Sequence, residues 1–117
     1  IGSRSSATPA TNGWSGVPRA LLAGLAADAS AMPAARWRAI LEEIRRTDLT
    51  AAARAVRVRT LIIAGARDPL FGEAHQEALA EALAGSRLVW AQDCGHNPHW
   101  EDPAFVAKAI ADVLPAE

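Results

Sequence analysis

The chain has 117 residues, half of them apolar, with a formal charge of −1 and an isoelectric point near 6.3. That is enough for one domain, and its neutrality removes any general electrostatic reason to expect nucleic acid or an anionic membrane as partner. The longest apolar stretch, Ala20 to Ala27, is too short to span a bilayer. The single cysteine, Cys94, cannot form an internal disulfide, which fits a reducing, cytoplasmic compartment.

Residues 1–16 are rich in Ser, Thr, Gly, Pro and Asn without apolar period and read as an exposed connection. Because the chain starts at Ile1 and not at Met, an upstream signal peptide would be invisible. From Val17 the pattern turns helical: Pro18 suits a first helical position, and Leu21, Leu22 and Leu25 share one side of a helix running to about Ala29. Pro33 repeats the start signal. Trp37, Ile40, Leu41 and Ile44 then mark one stripe of a second helix, with Arg38, Glu42 and Arg46 on another side. Asp48 or Thr50 caps a brief helix ending near Ala55.

Thr60 to Ala64 is apolar at every central position, as a parallel strand covered on both faces must be, and Gly65 ends it. A helix follows from Gly72 to Leu83 with Gln76, Leu79 and Leu83 on one side, stopped by Gly85. Arg87 to Ala91 is the second strand. Pro103 opens the last helix, whose buried stripe is Val106, Ile110, Val113 and Leu114. Two parallel strands leave two unpaired edges, so a companion must pair with or cover them.

Two strand ends carry the chemistry. Asp68 lies three residues after Gly65, in a strand-to-helix turn, and His96 arises in the equivalent place after the next strand, preceded by Gly95. Catalytic groups of open α/β sheets gather at these carboxyl ends. Two such groups launched from consecutive strands make a hydrogen-bonded Asp–His pair geometrically natural: the carboxylate would fix the imidazole tautomer, and the imidazole would take and return a proton. A metal set of His96, His99 and Glu101 matches no familiar zinc spacing, and Cys94 reads as a small apolar residue. Arg54, Arg57 and Arg59, alternating with apolar residues, read as a solvated rim.

The G-x-x-D turn at Gly65 to Asp68 and the G-H-x-P-H-W-E-x-P loop at Gly95 to Pro103 resemble those of the α/β-hydrolase family, whose triad runs nucleophile, acid, histidine. The resemblance implies an α/β fold class: the C-terminal part of an α/β-hydrolase parallel sheet, two strands with flanking helices, preceded by a helical cap. Residues 1–16 would leave the core sheet, 17–50 would form the cap and 51–117 the end of the core. Asp68 and His96 would be the catalytic acid and base, with Leu21, Leu22, Leu25, Trp37 and Leu70 as candidate walls of a pocket for a small, largely apolar ester. No cofactor and no metal is implied.

The family's nucleophile elbow, G-x-S-x-G after an earlier strand, is missing. Gly13-Trp14-Ser15-Gly16 imitates it with the wrong spacing and no preceding strand. The expected partner is therefore a companion polypeptide carrying the N-terminal half of the sheet and the nucleophile. An aspartate in that role would make a dehalogenase or epoxide hydrolase; related proteins cleave carbon–carbon bonds. A non-catalytic remnant serving as an interaction module is the alternative of another class.

Overall fold

The computed structural model describes residues 16–115. Three helices, α1 (Arg19–Ala31), α2 (Ala34–Arg46) and α3 (Thr50–Ala55), precede a unit of strand β1 (Leu61–Gly65), helix α4 (Glu73–Ala82), strand β2 (Arg87–Ala91), helix α5 (Pro98–Glu101) and helix α6 (Pro103–Ala111). The sheet is two-stranded and parallel, in the register Leu61 with Arg87 through Gly65 with Ala91. The fold is α/β, two parallel strands with flanking helices.

Prolines start four of the helices, in two different ways. Pro98 and Pro103 stand at the first helical position, where a missing N–H costs nothing. Pro18 and Pro33 instead stand one residue earlier than the sequence reading expects, as N-caps with ψ of 136° and 141°. Their extended ψ carries the chain into the helix, while the fixed φ of proline suits either position. At the far end of α4, Gly85 adopts φ 77°, a left-handed geometry that terminates the helix and lets Ser86 N–H donate to Leu83 O.

The core follows the strands. Ile62, Ala64, Ala91 and Cys94 are buried, joined by Val17, which precedes α1. Packing runs α4 on β2, α5 and α6 on β1, α5 on α6, and α3 on α4. Arg59 adds a long-range tie, its Nη1 donating to Val113 O at 2.7 Å, so one arginine of the expected solvated rim anchors the entry to β1. Helices α1 and α2 contain no buried residue; the Trp37 indole N–H, donating to Ala29 O at 3.0 Å, links them to each other. Among the described residues no large side chain is fully buried, and no helix is long and apolar enough to cross a membrane.

Candidate active site

The turns after β1 and β2 are interlocked by backbone before any side chain takes part. Ala66 N–H donates to Ala91 O and Arg67 N–H to Cys94 O, which extends the strand pairing beyond both strand ends. Gly65 makes this approach possible. A Cβ built there would lie 1.8 Å from Gly95 O and 2.6 Å from Cys94 O, both backbone atoms. Glycine is required here by close approach, and the sequence reading assigned it only the end of the strand. Arg67 adds a second clasp, its Nη2 donating to Asp93 Oδ1 at 2.8 Å.

Within this frame Asp68 Oδ2 lies 3.0 Å from His96 Nδ1. Asp68 Oδ1 accepts the backbone N–H of Leu70 at 2.8 Å and of Phe71 at 3.2 Å, so the carboxylate turns its own following residues while holding the imidazole. Its side chain is only 5 % exposed. Burial pushes the carboxyl pKa upward, but the His96 hydrogen bond, the two backbone N–H groups and the imidazole charge together outweigh it, and the group is held below its ordinary value of 3.8. Ionised at neutral pH, Asp68 can only accept, so His96 Nδ1 is the donor and the neutral ring carries its lone pair on Nε2. The His96 side chain is 35 % exposed, which leaves the ring within reach of a reacting group.

Phe71 and His75, which the sequence reading did not select, build the surroundings of the imidazole. The Phe71 ring sits 5.5 Å from that of His96 and 4.8 Å from that of His75, centroid to centroid. Both residues line a groove of about 880 Å³ between α2–α3 and α4, together with Ile44, Leu49 and Leu79. The candidate wall residues fall elsewhere. Leu21, Leu22, Leu25, Trp37 and Leu70 are absent from that lining; Leu21, Trp37 and Leu70 are exposed, and Leu22 and Leu25 half-buried. Leu70 is nearest the pair in sequence, yet Phe71 is the residue whose ring meets His96. The turn closed by the Asp68 carboxylate swings it there, and a carboxylate followed two and three residues later by Leu and Phe is the signal that could have found it.

Cys94 is buried, and burial first, then the charges of Glu101, Asp102 and Asp93, raises its thiol pKa, which favours the neutral thiol and fits a packing group. His99 packs its ring on Trp100 at 4.8 Å. Among the described residues no cluster of His, Cys, Asp and Glu could hold a metal ion. Ser15 and the connection over residues 1–15 lie outside the described residues.

Comparison with known proteins agrees with this architecture. Residues 2–109 match the Alpha/beta hydrolase family, and the chain belongs to that family. A crystal structure of a hydrolase from Pseudomonas aeruginosa PA01 is similar, with 32% sequence identity and a TM-score of 0.56 over 86% of this chain. The match spans 40% of the Pseudomonas chain. No curated protein matches.

Proposed function

We propose that this chain supplies the acid and the histidine of a hydrolase that cleaves a small, largely apolar carboxylic ester, with the nucleophile on a companion segment that pairs with the free edge of β1. The observation that carries the proposal is the Asp68–His96 hydrogen bond at the carboxyl ends of adjacent parallel strands. In the reaction His96 Nε2 takes the proton of an attacking serine hydroxyl as its oxygen bonds to the ester carbonyl carbon. The imidazolium, stabilised by Asp68, then gives that proton to the departing alkoxide. A water molecule, deprotonated by the same nitrogen, then bonds to the acyl carbon, and as the bond to the serine oxygen breaks the imidazolium returns its proton to that oxygen, which frees the carboxylic acid and restores the serine.

The companion is argued from the sheet. β1 is uncharged from Leu61 to Gly65 and is the more buried of the two strands, yet among the described residues it is paired on one side only. Such a strand is written for the interior of a larger sheet. The apolar preference is supported by Phe71, Ile44, Leu49 and Leu79 in a groove that His96 itself does not line, but whose Phe71 ring stands beside the imidazole.

Serine-directed fluorophosphonate labelling of the assembled protein, with hydrolysis of activated esters of short aliphatic acids, tests the reading. Labelling and turnover that both vanish in His96→Ala support it. An assembly that resists the label while hydrolysing epoxides or haloalkanes has an aspartate nucleophile, and the ester reading falls. Unchanged activity in Asp68→Asn and His96→Ala would mark the chain as an interaction module.

A further inference from the structure

We infer that Glu101 is a positioning residue for His96, acting through the backbone amide of Gly95. Glu101 closes the four-residue helix α5 and sends its carboxylate back over the histidine loop, where Oε1 accepts the Gly95 N–H at 2.8 Å. Gly95 is buried and immediately precedes His96; its N–H lies in the Cys94–Gly95 peptide plane and its oxygen in the Gly95–His96 plane, so holding the N–H fixes one of the two planes whose relative setting, through the Gly95 dihedrals, directs the imidazole. The carbonyl side of the same residue is the atom against which Gly65 leaves no room for a Cβ. Gly95 is thus held from two directions: its oxygen against β1, its N–H by Glu101.

The carboxylate is committed to this one task. Its other oxygen, Oε2, is buried and accepts no hydrogen bond from the described residues. Before Gly95 the loop is tied through Cys94 O, Cys94 N–H and Asp93, and after His96 the Asn97 carbonyl accepts the backbone N–H groups of Trp100 and Glu101. The Glu101 carboxylate is the side chain that accepts the N–H of Gly95, the residue before the histidine.

The inference rests on the proposed role of His96 and is tested so that the two can fail separately. In the assembled protein the downfield proton resonance of the His96 Nδ1–H bonded to Asp68 reports the position of the ring whether or not an ester is cleaved. Glu101→Ala is expected to lose that resonance and to lower kcat about tenfold to a hundredfold with KM within about twofold, the size expected when a reacting group is displaced by about an ångström. Glu101→Gln keeps a carbonyl acceptor for Gly95 N–H and is expected to restore both to within about threefold. Should Glu101→Ala not fold, Glu101→Asp, one methylene shorter, takes its place with the same expected direction. Wild-type resonance and kcat in the Ala or Asp variant, or a Gln variant as impaired as they are, overturns the positioning role. Loss of the resonance without any wild-type ester turnover overturns the hydrolase reading and leaves the positioning role standing.

Discussion

Two regions of this chain treat their apolar side chains in opposite ways. At the strand ends, Ala64 and Ala91 are each 3 % exposed and two glycines touch backbone to backbone, while along α2 Leu41 and Ile44 remain 56 % and 60 % exposed. Both regions have clear sequence patterns, but at the strand ends the turns close on each other with their own backbone, while the α2 stripe has no such partner among the described residues. The difference teaches that the acid–histidine geometry is made locally, by a ladder that continues past β1 and β2, and needs no large core around it. The helical pair α1–α2 is amphipathic in sequence and uncovered among the described residues. Breaking the first region should therefore cost chemistry, and stability as well where the backbone is forced apart; breaking the second should cost little stability.

The largest effect is expected from Asp68→Asn. The amide can present its NH₂ to Nδ1 and so favour the wrong imidazole tautomer, as well as removing the charge that stabilises the imidazolium. Turnover of the assembled protein should fall about a thousand- to ten-thousandfold, equivalent to roughly 4–5.5 kcal/mol in the barrier, with little change in fold. Steady-state kinetics with circular dichroism checks both halves of this expectation.

Gly65→Ala comes next. The new methyl meets Gly95 O and Cys94 O, which are backbone atoms and cannot swing aside, so the two turns must part. A loss of about 1–3 kcal/mol in urea denaturation is expected, together with a roughly hundredfold fall in kcat as His96 is carried away from Asp68. If the variant keeps full activity, the interlock is not what positions the pair.

Acid pH should act more gently on the same contact. Asp68 is held below its ordinary pKa of 3.8 in the folded chain. A depressed carboxylate contributes stability that is fully present above the unfolded value and is lost as pH falls through the folded one. The pair should therefore survive weakly acidic solution and fail only below about pH 3.8, and Asp68→Asn should remove that part of the acid transition. Carbon-13 titration of the Asp68 carboxyl gives the midpoint directly; a midpoint above 3.8 would mean that burial wins over the hydrogen bonds.

Much of this was legible in the residues, for reasons that also explain the omissions. The run Leu61 to Ala64, apolar on both faces, and the glycine after it give β1 to within one residue; Pro103 marks the start of α6. The helix α5 left no trace because four residues are too few to show a period, and it reads as part of the loop. Phe71 was hidden because position along the chain does not reveal which way a carboxylate-closed turn throws the next side chains. Glu101 is a related case. An acidic residue in a helix's first turn reaching back to a preceding amide is a known device, but the usual version bonds the N-cap amide, and here the carboxylate passes Asn97 and reaches Gly95. The close contact of Gly65 with Gly95 joins residues 30 apart in sequence and becomes visible only when the strands are in register.

The smallest effect sharpens the comparison from the other side. Leu41→Gln and Ile44→Gln replace exposed side chains on a helix that already carries the Glu42–Arg46 pair at 2.9 Å, and glutamine is as good a helix former as the residues it replaces. With both positions in water, each substitution should change stability by no more than about 0.5 kcal/mol, against about 2–4 kcal/mol for Ile62→Ala in β1. Equal losses at the two places would show that the stripe on α2 is covered in solution by something that buries it as deeply as the sheet buries Ile62. In that case α2 would share in the packed framework, and the contrast between locally built strand ends and an open helical pair would no longer hold.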